Sequence, residues 1–315
     1  MILLTWFLSL WQLLFRINIE VHVILLFIAA IYTFINWQDF LQWVKYLGLR
    51  SWKAYWLPGT IFLIFTFFVL LLVISPIIHS DTGLYHAQTV RWFEDYRIIP
   101  GLGNLHERFA YNNSWFVLSA FFSLSFLGIQ PFYVLNGFII LVFGSYCLWL
   151  LFNGEHHKSL LVTTCAVFLP ILPIVTLEFS IASLSPDLPN AIFVWLVFLF
   201  FIQKHTNSKP FALDTMTDLV ALYSLYAITL KLSSAPILLA PLILLAGGAS
   251  HRRLRPLLVS AILAVTILIP WFVRSYFLSG YLIYPYPAIN IFSPDWKIPL
   301  DLVKQEGVII QNWSV

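Results

Sequence analysis

Apolar residues in this chain come in blocks rather than in alternation. The blocks cover 1–15, 21–36, 58–78, 114–129, 131–152, 160–177, 190–203, 217–230, 233–248 and 257–273, and polar residues gather in the short stretches between them. A helix needs about 20 residues, within a range of about 17–25, to cross the hydrocarbon core of a bilayer. Blocks 58–78 and 131–152 reach that length and several others approach it. Blocks of this length without period-two alternation predict helices, not strands. The expected fold class is an all-α polytopic membrane protein, with no soluble domain, low-complexity tract or internal repeat.

Composition strengthens that reading. Of 315 residues, 60% are hydrophobic and 10% charged, and the mean hydropathy is +0.87. Soluble domains average about 25% charged residues, so this chain has too little polar surface to cover a body folded in water. A net charge of +3 carries no nucleic-acid signature. Cys147 and Cys165 sit in apolar blocks without metal-ligand spacing and read as small hydrophobes. The N-terminus lacks the basic start and small-residue site of a cleaved leader. The short first block and the polar end at Val315 read as the ends of a fragment.

Loop charges predict how the chain threads. Lys45, Arg50 and Lys53 mark 37–57 as cytoplasmic, so block 58–78 delivers Ser80–Phe109 to the external side. If 114–129 crossed fully, Arg252, Arg253 and Arg255 would lie outside. If it does not cross, "NGEHHKS", "QKHTNSKP" and "SHRRLRP" are all cytoplasmic, while "EFSIASLSPDLPN" is external and free of Lys and Arg. The expectation is therefore nine spans, with 114–129 a juxtamembrane or re-entrant helix buried by protein. The expected divisions are an N-terminal membrane hairpin and loop (1–57), a membrane core (58–275) with its external loop at 79–130, and an external C-terminal segment (276–315).

That loop holds the densest ionisable cluster in the chain: Asp81, His86, Arg91, Glu94, Asp95, Arg97, His106, Glu107 and Arg108. On a helical wheel over 84–96, Tyr85, Val90, Trp92, Phe93 and Tyr96 share one arc and Gln88, Arg91, Glu94 and Asp95 the other. The segment predicts an amphipathic interfacial helix, with Arg91 and Asp95 paired at i,i+4. "IIPGLGN" turns the chain back towards a second, more apolar helix. Asp81 is placed to cap a helix N-terminus, and His86, in the apolar arc, is placed to pack. Each residue has such a bland role; the gathering of scarce charges at one membrane face is what points to a site.

Further candidates are Asp187 in "SPDLPNA", Lys231, and Arg274 in "WFVRSYF", all at block ends on the expected external side. Asp187 also suits an N-cap, and Lys231 and Arg274 suit membrane anchoring. Gly101-Leu-Gly103 lacks the third glycine of a dinucleotide fingerprint. Asn112-Asn-Ser and Asn312-Trp-Ser match a glycosylation sequon, a common pattern.

"DTGLY" at 81–85, the non-spanning "SWFVLSAFFSLSFLG" and "SPDLPNAIFVWLVFLFF" carry a resemblance to the GT-C superfamily of integral-membrane glycosyltransferases, including its protein mannosyltransferase and aminoarabinose transferase-like branches. "DTGLYHAQTVRW", "GLGNLHERFAYNNSWF" and "FLSGYLIYP" look like a group of uncharacterised bacterial polytopic membrane proteins that run longer at both ends. The GT-C likeness covers about 58–275. Where that superfamily usually has Asp-Glu this chain has Asp81-Thr82, and Asn112-Asn113-Ser114 stands where a proline pair is common.

The resemblance implies a GT-C-like helical bundle in a bacterial inner membrane. It implies inverting transfer of a sugar from a polyprenyl-phosphate donor to a glycan or lipid acceptor at the external face. Asp81 would be the general base. His86, Arg91, Glu94, Arg97, Asn104, His106, Arg108 and Asp187 would contact substrate, and Lys231 and Arg274 would hold phosphate. Some relatives use a divalent metal; no ligand set in this sequence demands one. The alternatives are a glycolipid transporter or flippase, which would line a mid-membrane path with charge, a non-catalytic scaffold, or a ligase or polymerase with a large late loop.

Overall fold

A computed structural model describes residues 1–49, 52–128, 133–152, 159–206, 214–249 and 254–313. Among them there are helices and turns and no strand. The helices are α1 (Ile2–Leu14), α2 (Ile19–Ile35), α3 (Trp37–Leu49), α4 (Trp52–Val73), α5 (Ala87–Asp95), α6 (Ser114–Phe122), α7 (Leu135–Phe152), α8 (Leu160–Phe168), α9 (Leu172–Thr176), α10 (Glu178–Ile181), α11 (Asp187–Thr206), α12 (Thr215–Leu230), α13 (Leu239–Ala249), α14 (Leu254–Ser279) and α15 (Leu300–Trp313). Among the described residues four stretches are long and apolar enough to cross a membrane: Trp56–Val73, Leu135–Phe152, Asp187–His205 and Leu258–Ser279. The chain is thus an all-helical membrane protein.

The other expected spans fold into shorter pieces. α1 and α12 have 13 and 16 residues, or about 20 and 24 Å at about 1.5 Å per residue. Block 160–177 is broken into α8 and α9, with Pro170 and Pro173 at the break; a proline inside a helix removes a hydrogen bond and clashes with the preceding turn. Of the charges behind the threading, Lys45 is exposed and Lys204 is buried in a pair with Asp214; residues 153–158, 207–213 and 250–253, with Arg50 and the side chains of Lys53 and Arg255, lie outside the described side chains and loops.

Packing is helix on helix. α11 lies against α12, α12 against α14, α4 against α7, and α1 against α6 and α14. Glycines set the α4–α7 contact: a Cβ at Gly144 would fall 2.5 Å from Phe65, and Val73 crowds Gly137 in the same way. Small residues let membrane helices approach where no hydrophobic gradient drives them together. α1 is polar on the inside. Thr5, Ser9 and Gln12 are buried against the bundle while Leu3, Leu10 and Leu14 are exposed.

Over 114–128 the chain is α-helical for only the nine residues of α6 and then makes a tight 3-10 turn at Ser125–Leu127. At about 14 Å that helix cannot cross a bilayer. It is not spread on a lipid surface either. Trp115, Phe116, Val117 and Leu118 are at most 1% exposed, enclosed on every side by protein. Its N-terminus is held by Asn113, which accepts from the Trp115 N–H and donates to the Leu230 carbonyl. Asn136 on α7 accepts from Trp115 Nε1 and donates to the carbonyls of Ser180, Ser183 and Ser185. These amides gather the ends of α6, α7, α11 and α12 at one end of the bundle.

The C-terminal segment packs on the same end. Ala110, Tyr281, Tyr284, Ile298 and Val303 form a small second core. Gly101, at φ +70°, lets the loop approach Trp296, where a Cβ would meet the Trp296 carbonyl at 2.9 Å. The "GLGN" glycines therefore serve close backbone packing.

Candidate functional site

Asp81 follows the exposed apolar Ile77 and Ile78, and the chain then forms a π-helical turn, Thr82–His86, leading into α5. The carboxylate does not cap that turn. Instead Asp81 Oδ1 accepts from Arg108 Nη1 at 3.2 Å. Arg108 stands on a tight turn, Glu107–Ala110, capped by His106, whose Nδ1 accepts from the Arg108 N–H. The guanidinium carbon lies 5.4 Å above the centre of the Tyr85 ring.

A second ion pair stands beside the first. Lys231 Nζ donates to Asp187 Oδ1 at 2.6 Å. Asp187 opens α11 and Lys231 follows the last turn of α12, so each charge suits the dipole of the helix end it occupies. The side chains are 31% and 19% exposed for Asp81 and Arg108, and 39% and 47% for Asp187 and Lys231. Both pairs are open to an incoming group.

Between the pairs lie Tyr85 and His86. Burial, then the fields of His79, Arg108 and Lys231, push the His86 imidazole down to about 3, against the opposing field of Asp187. His86 is therefore neutral in neutral solution. Burial and the carboxylate of Asp81 push the Tyr85 hydroxyl up. Arg108 and Asp187, one from each pair, act on both side chains, which places the two pairs around Tyr85 and His86. His86 is 1% exposed and packs its ring 4.3 Å from Tyr85 and 5.1 Å from Phe116. Its Nδ1 and the Thr82 hydroxyl are buried without a hydrogen-bond partner among the described residues.

The structure thus brings together Asp81, His86, Arg108, Asp187 and Lys231, from four separate parts of the chain. The remaining sequence candidates stand elsewhere. Arg91 pairs with Asp95 at 2.8 Å, as expected. Glu94, expected on the polar arc, is 1% exposed and turned under Arg91 towards Ser123 and Ser125 at the end of α6; burial raises its carboxyl. Arg97 is exposed and forms no ion pair among the described residues. Asn104 donates to the Trp296 carbonyl at 2.7 Å and fastens the C-terminal segment. His106 is a cap.

Arg274, expected at the membrane boundary for phosphate, is 1% exposed. It donates to Asn112 Oδ1 and Gln12 Oε1 and lies 4.8 Å from the Phe93 ring centre, a cation that staples α1, the loop and α14. Asn112 itself is buried and bonded to Trp271, which closes the first sequon to a glycan; Ser314 of the second lies outside the described residues. Cys147 is buried and Cys165 half-buried, both free.

Sequence reasoning missed Tyr111, Tyr284 and Glu306. The Tyr111 hydroxyl donates to Glu306, and the ring centres of Tyr111 lie 5.8 Å from Tyr85 and 6.0 Å from Tyr284. The available signal was the amphipathic pattern of "LDLVKQEGVII", which puts Val303 and Glu306 on one helix face.

Among the described residues no three His, Cys, Asp or Glu side chains converge as metal ligands. Asp81 and Asp187 each face a cation. A shallow crevice opens between α1, α12 and α14, lined by Thr5, Ser9, Ser114, Tyr226 and Trp271 among others. None of these lining residues is charged.

Searches of curated proteins and of solved structures returned no match. A family described as a domain of unknown function, DUF8201, matches residues 1–315. With its whole length matched, this chain belongs to that DUF8201 family.

Proposed function

We propose that the chain is a membrane glycosyltransferase of GT-C type. It moves a sugar from a polyprenyl-phosphate donor to an acceptor hydroxyl in cell-surface glycan or glycolipid assembly, on the external face of a bacterial inner membrane. The observation that carries this reading is the convergence of two half-exposed ion pairs, Asp81–Arg108 and Asp187–Lys231, beside exposed apolar residues at the end of α4.

The chemistry follows from the charges. Ion pairs open to water contribute only about 0–1 kcal/mol each, and both pairs keep solvent access, so an incoming anion can replace their carboxylates. A phosphate arriving from the lipid side takes Arg108 and Lys231 as counter-ions and frees Asp81. Asp81 then accepts the proton of the acceptor hydroxyl as its oxygen attacks the anomeric carbon. The bond from that carbon to the phosphate oxygen breaks with inversion, and the charge developing on the departing phosphate falls to Arg108 and Lys231. Asp187 holds Lys231 in place. The exposed Ile77, Ile78 and Leu84 offer the polyprenyl chain an apolar bed.

The test is Asp81→Asn, which keeps size and hydrogen bonding. Transfer into the surface glycan should fall about 10²–10⁴-fold with membrane insertion and expression unchanged. Wild-type incorporation by the well-expressed variant would remove the assignment. Movement of the lipid-linked sugar across vesicles without any transfer would favour a transporter.

A further inference from the structure

We infer that Tyr111, Tyr284 and Glu306 form a carbohydrate subsite beside the ion pairs, with α15 as one wall; the inference rests on the transferase reading for the reaction it serves. Glu306 is 5% exposed, and among the described residues no Lys, Arg or His lies within 4 Å of its carboxylate. Buried carboxylates are rare unless paired. Its bond from the Tyr111 hydroxyl engages one oxygen and leaves further acceptor capacity. Tyr284 is 3% exposed, and its hydroxyl is buried without a partner among the described residues.

Two groups with hydrogen-bonding capacity to spare therefore stand against aromatic rings. One is an acceptor on Glu306; the other is a hydroxyl that both donates and accepts. A sugar satisfies all of this, with hydroxyls for Glu306 and Tyr284 and a C–H face for a ring. A quaternary ammonium would find rings and a carboxylate but could neither donate to Glu306 nor accept from Tyr284. The rings run from Tyr284 through Tyr111 to Tyr85, which lies under Arg108. A sugar bound there sits next to the phosphate-binding cations, where the transferase reading needs it. α15 supplies Glu306 to the site, and the segment 280–299 that carries it is fastened by the Asn104–Trp296 and Ile298–Ser279 bonds.

The experiment uses the full chain in lipid nanodiscs. Saturation-transfer NMR is recorded with methyl glycosides of glucose, mannose, galactose and N-acetylglucosamine, with tetramethylammonium as a control, and with undecaprenyl phosphate in parallel. At least one glycoside should bind the wild type. Glu306→Gln and Tyr284→Phe should each weaken it about tenfold or more while undecaprenyl phosphate binding stays unchanged. Arg108→Gln with Lys231→Gln should do the reverse. If Glu306→Gln fails to fold, Tyr284→Phe decides alone. No glycoside binding by the wild type, unweakened binding by the variants, or binding of tetramethylammonium in place of glycosides overturns the subsite. No undecaprenyl phosphate binding by the wild type, with its glycoside binding intact, overturns the transferase donor assignment and leaves the subsite standing.

Discussion

Replacing His86 with Phe should flatten the acid limb of the protein's stability profile. The ordinary imidazole value is 6.5, and burial holds His86 at about 3 in the folded chain. Between those values the unfolded chain binds a proton that the folded chain refuses. Stability therefore rises with pH across that window and is lost as pH falls below about 6.5. At pH 5 the unfolded imidazole is about 97% protonated and the folded one almost not at all, which costs about 2 kcal/mol relative to pH 8. The Phe ring meets Tyr85 and Phe116 in place of the imidazole, and the partnerless Nδ1 disappears, so at pH 8 the variant should be no less stable than the wild type. The assay is thermal or denaturant unfolding in mild detergent from pH 5 to pH 8, for both proteins. Every other ionisable group is common to the two proteins, so the difference between the two curves isolates His86. A difference that stays constant across the range, or an NMR titration of His86 near 6.5 in the folded state, would refute the reasoning.

Three further outcomes follow from the geometry. Lys231→Gln should shift unfolding by no more than about 1 kcal/mol, because its pair is open to water, and Arg108→Gln, whose side chain is 19% exposed and lies over the Tyr85 ring, by about 1–3 kcal/mol, yet the double variant should lose undecaprenyl phosphate binding in a flotation assay. Asn136→Leu strands the Trp115 indole N–H and loses three donations to serine carbonyls; about 3 kcal/mol or more of stability should go, read by the same unfolding assay. Gly101→Val places a branched side chain at φ +70° against Trp296, so limited proteolysis should cut the C-terminal segment of the variant faster than that of the wild type.

Much of this protein is legible along the chain. The apolar blocks mark the helices, their near-absence of charge marks the membrane, and the few charges left over include Asp81, His86, Arg108, Asp187 and Lys231. Even the failure of 114–129 to cross can be read from its length. What the chain does not reveal is which way each side chain turns. A helix that is apolar all round has no amphipathic stripe to report its inner face, so nothing local says that Gln12 and Arg274 point into the bundle. Glu94 reads as part of a polar arc, yet α6 closes over it.

Sequence alone determined that this is a helical membrane protein with its ionisable groups concentrated near the ends of apolar segments, because the energy of placing charge in hydrocarbon is set residue by residue. Tertiary structure alone decided which of those groups meet. The ion-pair partners are 27 and 44 residues apart, and Tyr111 and Glu306 are 195 apart. Such encounters depend on how helices pack, which small residues, buried amides and the path of the loops settle together and no single segment encodes.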